Sequence, residues 1–416
     1  MSAGMSQTPS GERVRIGFFG LRNAGKSSLV NAVCNQEVAL VSDVPGTTTD
    51  PVIKAMEILP LGPVVIVDTP GIDDEGKLGA QRVRRTRDAL RSCDMAVLVT
   101  DSTRSLVASE TELLGLFAQQ GVPCVLARNK ADLLQDSAFD AGSHCAADAY
   151  SGVSEAAAHA LAAQVLVSAK TGKGISELKE TMAKVGAGAG QSKPLIRDLL
   201  KPGDVVVLVV PIDSAAPKGR IILPQQMVLR DVLDAHATAL VCQPEELAAT
   251  LESMPKVRLV VTDSQAFEFV AQVVPANIQL TSFSILMARY KGELAQLAAS
   301  ASKIGELSNE SRVLISEACT HHRQCDDIGT VKMPAWIREC CGAEPQFSFT
   351  SGREFPADVS EYDLVVHCGG CMINPKEMHW RMGAAEAAGV PMVNYGVAIA
   401  YMKGILNRAL EPFHIG

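Results

Sequence analysis

The sequence predicts an α/β fold, in which a P-loop domain is followed by two further α/β domains. Three observations carry that expectation. Short apolar runs alternate with helical stretches, a glycine-rich loop joins the first such run to the first helix, and a small-residue stretch breaks the pattern before the middle of the chain. VRIGFFG (Val14 to Gly20) reads as a buried strand, with Lys26 to Cys34 as the helix after it. VVIVD (Val64 to Asp68), MAVLVTD (Met95 to Asp101), PCVLARN (Pro123 to Asn129) and VLVSA (Val165 to Ala169) are the later strands of that domain. AGAGQSKP (Ala187 to Pro194) is small and turn-rich and reads as a linker. Beyond it DVVVLVVP (Asp204 to Pro211), ATALVC (Ala237 to Cys242) and RLVVTD (Arg258 to Asp263) are strands of a second α/β unit. Ser284 to Lys303 looks helical and leads into a third unit, where RVLISEA (Arg312 to Ala318), YDLVVH (Tyr362 to His367) and PMVNY (Pro391 to Tyr395) are strand candidates. The boundaries expected are 1–188, 195–295 and 296–416.

Composition narrows the function classes. The 416 residues are 47% hydrophobic and 20% charged, as in an ordinary globular protein. Lys and Arg total 38 against 46 Asp and Glu, a formal charge of −8, which argues against a nucleic-acid or anionic-membrane surface. The polar stretch Met1 to Glu12 has no apolar segment of a signal peptide, and no run of about 18 apolar residues occurs, so a cytoplasmic protein is expected. In that compartment the 11 cysteines are not a disulfide framework.

The glycine-rich loop is Gly20-Leu-Arg-Asn-Ala-Gly25-Lys26-Ser27, the pattern G-x-x-x-x-G-K-[ST] between a strand and a helix. Its glycines, with Ala24 and Ser28 beside them, let backbone amides close on phosphates at the positive end of the helix dipole. Lys26 is expected to reach the β- and γ-phosphates, and Ser27 to ligate Mg²⁺. Asp68-Thr69-Pro70-Gly71 ends a buried strand, placing Asp68 near the Mg²⁺ and the Gly71 amide near the γ-phosphate. Thr47 and Thr48 lie between the loop and Asp68, and Thr48 is expected to complete the Mg²⁺ shell. In Asn129-Lys130-Ala131-Asp132 the carboxylate of Asp132 accepts from two nitrogens of guanine that adenine does not offer, and Ser168-Ala169-Lys170 closes the base pocket. These motifs in this order predict a GTP-hydrolysing site, with Lys26, Thr48, Asp68 and Gly71 at the chemistry. Ile72 stands where a water-orienting glutamine is otherwise found, so turnover is expected to be slow. The set resembles the TrmE–Era branch of small GTPases. That resemblance implies that Asn23 helps hold a potassium ion in place of an arginine finger.

A second constellation lies near the other end. Cys319-Thr320-His321 and His367-Cys368-Gly369-Gly370-Cys371 each follow an expected buried strand, where α/β sheets build their sites. The C-x-x-C spacing lets two thiolates grip one centre. Three cysteines (Cys319, Cys368, Cys371) with His321 and His367 suit a closed Cys₃His zinc site or an iron–sulfur cluster, and spacing leaves both open. His322 reads as a neighbour rather than a ligand, Cys325 stays undecided, and Cys340 and Cys341 read as ordinary thiols. Cys34, Cys93, Cys124 and Cys242 sit in apolar stretches and read as core.

Taken together, the chain resembles the HydF family, the GTPase and scaffold of [FeFe]-hydrogenase maturation. The resemblance rests on the order of G domain, middle domain and C-x-H…H-C-x-x-C. It extends through Cys319-Thr320-His321-His322, Asp326-Asp327-Ile328-Gly329, Met372-Ile373-Asn374-Pro375 and Val393-Asn394-Tyr395-Gly396. It implies a [4Fe–4S] cluster on Cys319, Cys368 and Cys371, and a homodimer built by the middle domain. It further implies a two-iron precursor received from two radical-SAM maturases and delivered to apo-[FeFe]-hydrogenase. Two other readings compete. A TrmE/Era-like GTPase of tRNA modification or ribosome assembly with a zinc-stabilised tail is disfavoured by the −8 charge and the lack of a basic RNA module. A nickel-type insertion GTPase is disfavoured by the scatter of only 8 histidines.

Overall fold

A computed structural model describes residues 10–34, 52–68, 86–134, 160–189, 193–212, 221–254, 256–318, 327–352 and 354–415. It is α/β throughout, and the chain divides into two compact units, Met1–Gln191 and Ser192–Gly416.

In the first unit six strands lie in the order β2-β3-β1-β4-β5-β6. They are β1 (Val14–Phe19), β2 (Val52–Ile58), β3 (Gly62–Asp68), β4 (Met95–Asp101), β5 (Cys124–Asn129) and β6 (Leu161–Leu166). All pairs are parallel except β2 with β3. β1 and β4 are buried almost throughout, and largely apolar, because α1 (Lys26–Cys34), α2 (Ala108–Gln119) and α3 (Ile175–Ala189) leave the central strands no face in water. The two faces of the sheet bury separate cores. One holds Ile16, Phe18 and Leu29; the other holds Phe19, Leu114 and Phe117. The last strand departs from its expected place: it ends at Leu166, and Val167 to Ala169 turn away to form a loop.

The second unit holds two four-stranded parallel sheets. The first runs β10-β9-β7-β8, with β7 (Val205–Val209), β8 (Thr238–Cys242), β9 (Val257–Thr262) and β10 (Gln279–Ser282). The second runs β12-β11-β13-β14, with β11 (Arg312–Glu317), β12 (Gln346–Ser351), β13 (Leu364–His367) and β14 (Met392–Asn394). Its helices are α4 (Leu223–Asp234), α5 (Leu247–Ser253), α6 (Phe267–Val273), α7 (Phe283–Lys291), α8 (Leu294–Ala299), α9 (Met333–Cys341), α10 (Pro375–Ala387), α11 (Tyr395–Met402) and α12 (Leu406–Leu410). The stretch read as one helix from Ser284 to Lys303 is α7, a break at Gly292, α8 and a 3-10 turn. One continuous core joins both sheets, from Val207 and Val260 through Ile285 to Val313, Val365 and Val397. α7 sits in it. Ser282 caps this helix by accepting from the Ile285 amide, and Phe283, Ile285, Leu286, Met287, Ala288, Tyr290 and Lys291 are all buried. A helix buried on every side is a core element of its unit.

Candidate functional site

The phosphate loop follows β1 as expected. Gly20 and Gly25 have φ of +147° and +90°, and a Cβ at either would strike the Val99 carbonyl or the Asn129 side chain. Those contacts explain both glycines. Asn23 is left-handed as well, at φ +65°, a conformation asparagine tolerates better than most residues, and it is exposed at the loop's apex. Lys26 Nζ donates to the carbonyls of Gly20 (2.9 Å) and Leu21 (3.3 Å). Ser27 and Ser28 are exposed in the first turn of α1, where helix amides face a ligand.

The base-reading loops are tied to that loop by one side chain. Asn129, 3% exposed, donates from Nδ2 to the Ala24 carbonyl (3.0 Å) and accepts at Oδ1 from the Ala169 amide (3.0 Å). Ser168, fully buried, donates to Asp132 Oδ1 at 2.7 Å and so fixes the carboxylate expected to read guanine, which is itself exposed. Lys130 is left-handed at φ +64° and pairs with Asp101 at 2.7 Å. Burial pushes the Asp101 carboxyl up, but hydrogen bonds from Lys130 and Thr103 outweigh it and hold it at about 2. Lys170 is exposed at the rim. Asp68 ends β3 beside Phe18 of β1. Thr47, Thr48 and Gly71 lie outside the described residues.

The cysteine site is built at the carboxyl ends of β11 and β13. Cys368 follows β13, and its Sγ accepts from the amides of Ala318 (3.1 Å) and Gly370 (3.4 Å). Gly370 turns the chain at φ +65°. Cys371 follows, and Asn374 closes the turn by capping α10, accepting from the Glu377 amide at 3.1 Å. Burial pushes the Cys368 thiol up to about 11, and burial raises that of Cys371. A thiol held high binds a metal by losing its proton to it, and amides aimed at sulfur stabilise the thiolate that results. The two thiols and their amide donors therefore fit an iron–sulfur cluster. Cys319 and His321, like His322 and Cys325, lie outside the described residues, and among the described residues no three ligating side chains converge.

His367 is placed differently from a ligand. It is 1% exposed; Nδ1 donates to the Cys368 carbonyl (2.7 Å), and Nε2 accepts from Arg381 Nη1 (3.0 Å). Both ring nitrogens are occupied, so in this arrangement the ring offers no lone pair to iron. Burial, with the Arg381 charge second, lowers its pKa to about 3 and keeps it neutral. Arg381, fully buried, also bonds Glu377 and the Gly352 carbonyl and stacks on Phe355 at 5.2 Å. Sequence reasoning missed Arg381 and Lys291. Both carry a charge into the buried face of a helix that has other charged residues, so the sequence alone does not single them out. Among the cysteines read as core, Cys93 and Cys124 are buried, while Cys34 and Cys242 are half-buried.

Comparison with known proteins decides the family. Residues 195–292 match the model of the hydrogen maturase F dimerization domain, and residues 295–412 that of the hydrogen maturase F tetramerization domain. The chain belongs to the hydrogen maturase F family. Residues 15–130 of this family member match a third model, described as a 50S ribosome-binding GTPase. Its G domain is similar to GTPase Der of Kosmotoga olearia, 33% identical over 30% of this chain and 29% of that protein. It is also similar to the tRNA modification GTPase MnmE of a Roseiflexus species, 36% identical over 42% of this chain and 36% of that protein. The chain thus spans about a third of the length of the curated relatives it matches. Among solved structures, a probable GTP-binding protein engB is 22% identical, with 42% of this chain and 99% of that chain covered and a TM-score of 0.31. No helix among the described residues is long and apolar enough to cross a membrane.

Proposed function

We propose that this chain is a GTP-hydrolysing scaffold that receives a two-iron precursor and delivers it to apo-[FeFe]-hydrogenase. The observation that carries the reading is the co-occurrence, on one chain, of a GTPase-matched domain and two hydrogen maturase F segments, with the C-x-x-C turn inside the second of them. The family also supports self-association through both segments of the second unit, where the sequence implied a dimer through the middle one.

In the G domain the loop amides and Lys26 bind the β- and γ-phosphates, and Ser27 and Thr48, with Asp68 nearby, would hold a Mg²⁺ that would neutralise phosphate charge. Asp132, held by Ser168, selects guanine. Asn23 would help hold a potassium ion in place of an arginine finger, and with Ile72 unable to orient water, turnover without that ion is slow. Cys319, Cys368 and Cys371 would hold a [4Fe–4S] cluster, whose chemistry is to present an iron to which a two-iron unit can attach. The amides of Ala318 and Gly370 stabilise the Cys368 thiolate, and Arg381 fixes the His367 ring behind it. His321 is the exchangeable partner of this reading, because a histidine is a weaker and pH-dependent ligand than a thiolate.

The experiment is in vitro maturation. Protein co-expressed with the two radical-SAM maturases is expected to activate apo-[FeFe]-hydrogenase, and Cys368→Ser or Cys371→Ser protein to fail. Activation by the serine variants at the native level sinks the reading.

A further inference from the structure

The strands and helices matched by the dimerization model meet the cysteine turn through α7 and the lysine that ends it. Lys291 is fully buried. A buried ammonium must replace its water with acceptors, and it has three N–H groups to satisfy. Nζ donates to the carbonyls of Gly370 (3.1 Å), Cys371 (3.1 Å) and Ile373 (2.7 Å), all in the turn that carries the C-x-x-C motif. The same helix touches that region again. A Cβ at Gly369 would lie 3.7 Å from both Met287 Cβ and Ser284 Oγ, and Ser284 Oγ accepts from the Gly396 amide at 3.1 Å. The ammonium thus lies 3.1 Å from the carbonyl oxygen of Cys371 itself, on the backbone of a candidate cluster ligand.

We propose that Lys291 is a positioning residue for the cluster: it holds the Gly370–Ile373 backbone in ligand-ready shape and sets a buried positive charge in the turn that carries Cys371. The proposal rests on the cluster reading of the site. A reduced iron–sulfur centre carries one more negative charge than the oxidised one, so a fixed cation nearby favours the reduced form and raises the potential. Loss of the ammonium loosens the turn as well as removing charge. The segment that carries the family's self-association model thereby sets the stability and potential of the centre through one side chain.

The test uses full-length protein, anaerobically reconstituted, as wild type, Lys291→Gln and Lys291→Arg. Glutamine keeps a donor without charge, and arginine keeps the charge with altered reach. Iron and sulfide content, the midpoint potential from a paramagnetic-resonance titration and the rate of iron release to a chelator are measured. Lys291→Gln is expected to lower the midpoint by about 59 mV, roughly a tenfold shift in the reduced-to-oxidised ratio, and to release iron several-fold faster. Lys291→Arg is expected to stay near the wild-type potential while releasing iron faster. Wild-type behaviour in Lys291→Gln, or equal potential shifts in both variants, overturns the proposal. Loss of cooperative unfolding in both apo variants overturns it too, because the lysine is then a general requirement of the core. Wild type that takes up no iron sinks the cluster reading itself, whereas iron-loaded wild type with unaltered variants sinks the lysine's role alone.

Discussion

Replacing Asn129 with alanine cuts the tie between the phosphate loop and the base-reading loops. The side chain is 3% exposed and makes two hydrogen bonds of 3.0 Å, one to the Ala24 carbonyl and one from the Ala169 amide. At about 1 kcal/mol net for each, the loss is about 2 kcal/mol. For a domain of this size that corresponds to roughly 4–8 °C in Tm. The same bonds hold the two halves of the nucleotide pocket in register, so the loss also enters binding, where about 1.4 kcal/mol is tenfold in affinity. A fluorescent guanine nucleotide titrated into wild type and Asn129→Ala is expected to bind the variant at least ten times more weakly. Scanning calorimetry is expected to show the matching drop in the G domain. Native affinity and native Tm together would refute the claim that this asparagine is the structural link of the pocket.

Other perturbations separate the parts of the account. Asp132→Asn is expected to weaken GTP by roughly ten- to a hundred-fold, the loss of a charge-assisted pair of about 1.5–3 kcal/mol, and to improve xanthosine nucleotides; unchanged GTP affinity contradicts the role of Asp132. Turnover in potassium chloride is expected to exceed that in sodium chloride, and equal rates with a silent Asn23→Ala mean that the loop asparagine binds no cation. Asp101, held at about 2 in the folded state against 3.8, contributes stability that is present above pH 4 and lost as pH falls towards 2. The pair is partly exposed, so Asp101→Asn is expected to cost up to about 1 kcal/mol at pH 7, read by urea unfolding; an undiminished difference at pH 2 contradicts the pairing.

The legible parts of this chain were those whose signal is local. Val14–Phe19 and Met95–Asp101 are mostly apolar on both faces because helices cover them, and such runs are visible in sequence. β12 was missed because Gln346–Ser351, at a sheet edge, has only two apolar residues, Phe347 and Phe349, among four polar ones, too short an alternation to stand out. β2 is likewise an edge strand, paired antiparallel to β3 alone. The phosphate loop and Asp132 could be read because their chemistry needs fixed spacing. The partners of the cysteine turn could not, since Lys291 and Arg381 reach it from 79 and 14 residues away, against Gly370 and His367. Their burial, not their spacing, identifies them. His367 is the opposite case. Adjacency to Cys368 made it a candidate ligand, whereas its ring is engaged by Arg381 and by the Cys368 carbonyl.

The central claim is that the second unit holds an iron–sulfur cluster on three cysteines, and metal analysis of anaerobically prepared protein tests it most directly. Iron, acid-labile sulfide and zinc are measured together with the paramagnetic-resonance spectrum of the reduced protein, for wild type and for Cys319→Ser, Cys368→Ser and Cys371→Ser. The account predicts brown wild-type protein with iron and sulfide in equal amounts, a spectrum of a reduced [4Fe–4S] centre, and loss of both in each serine variant. Colourless protein that carries zinc, or serine variants that keep their iron, would contradict it.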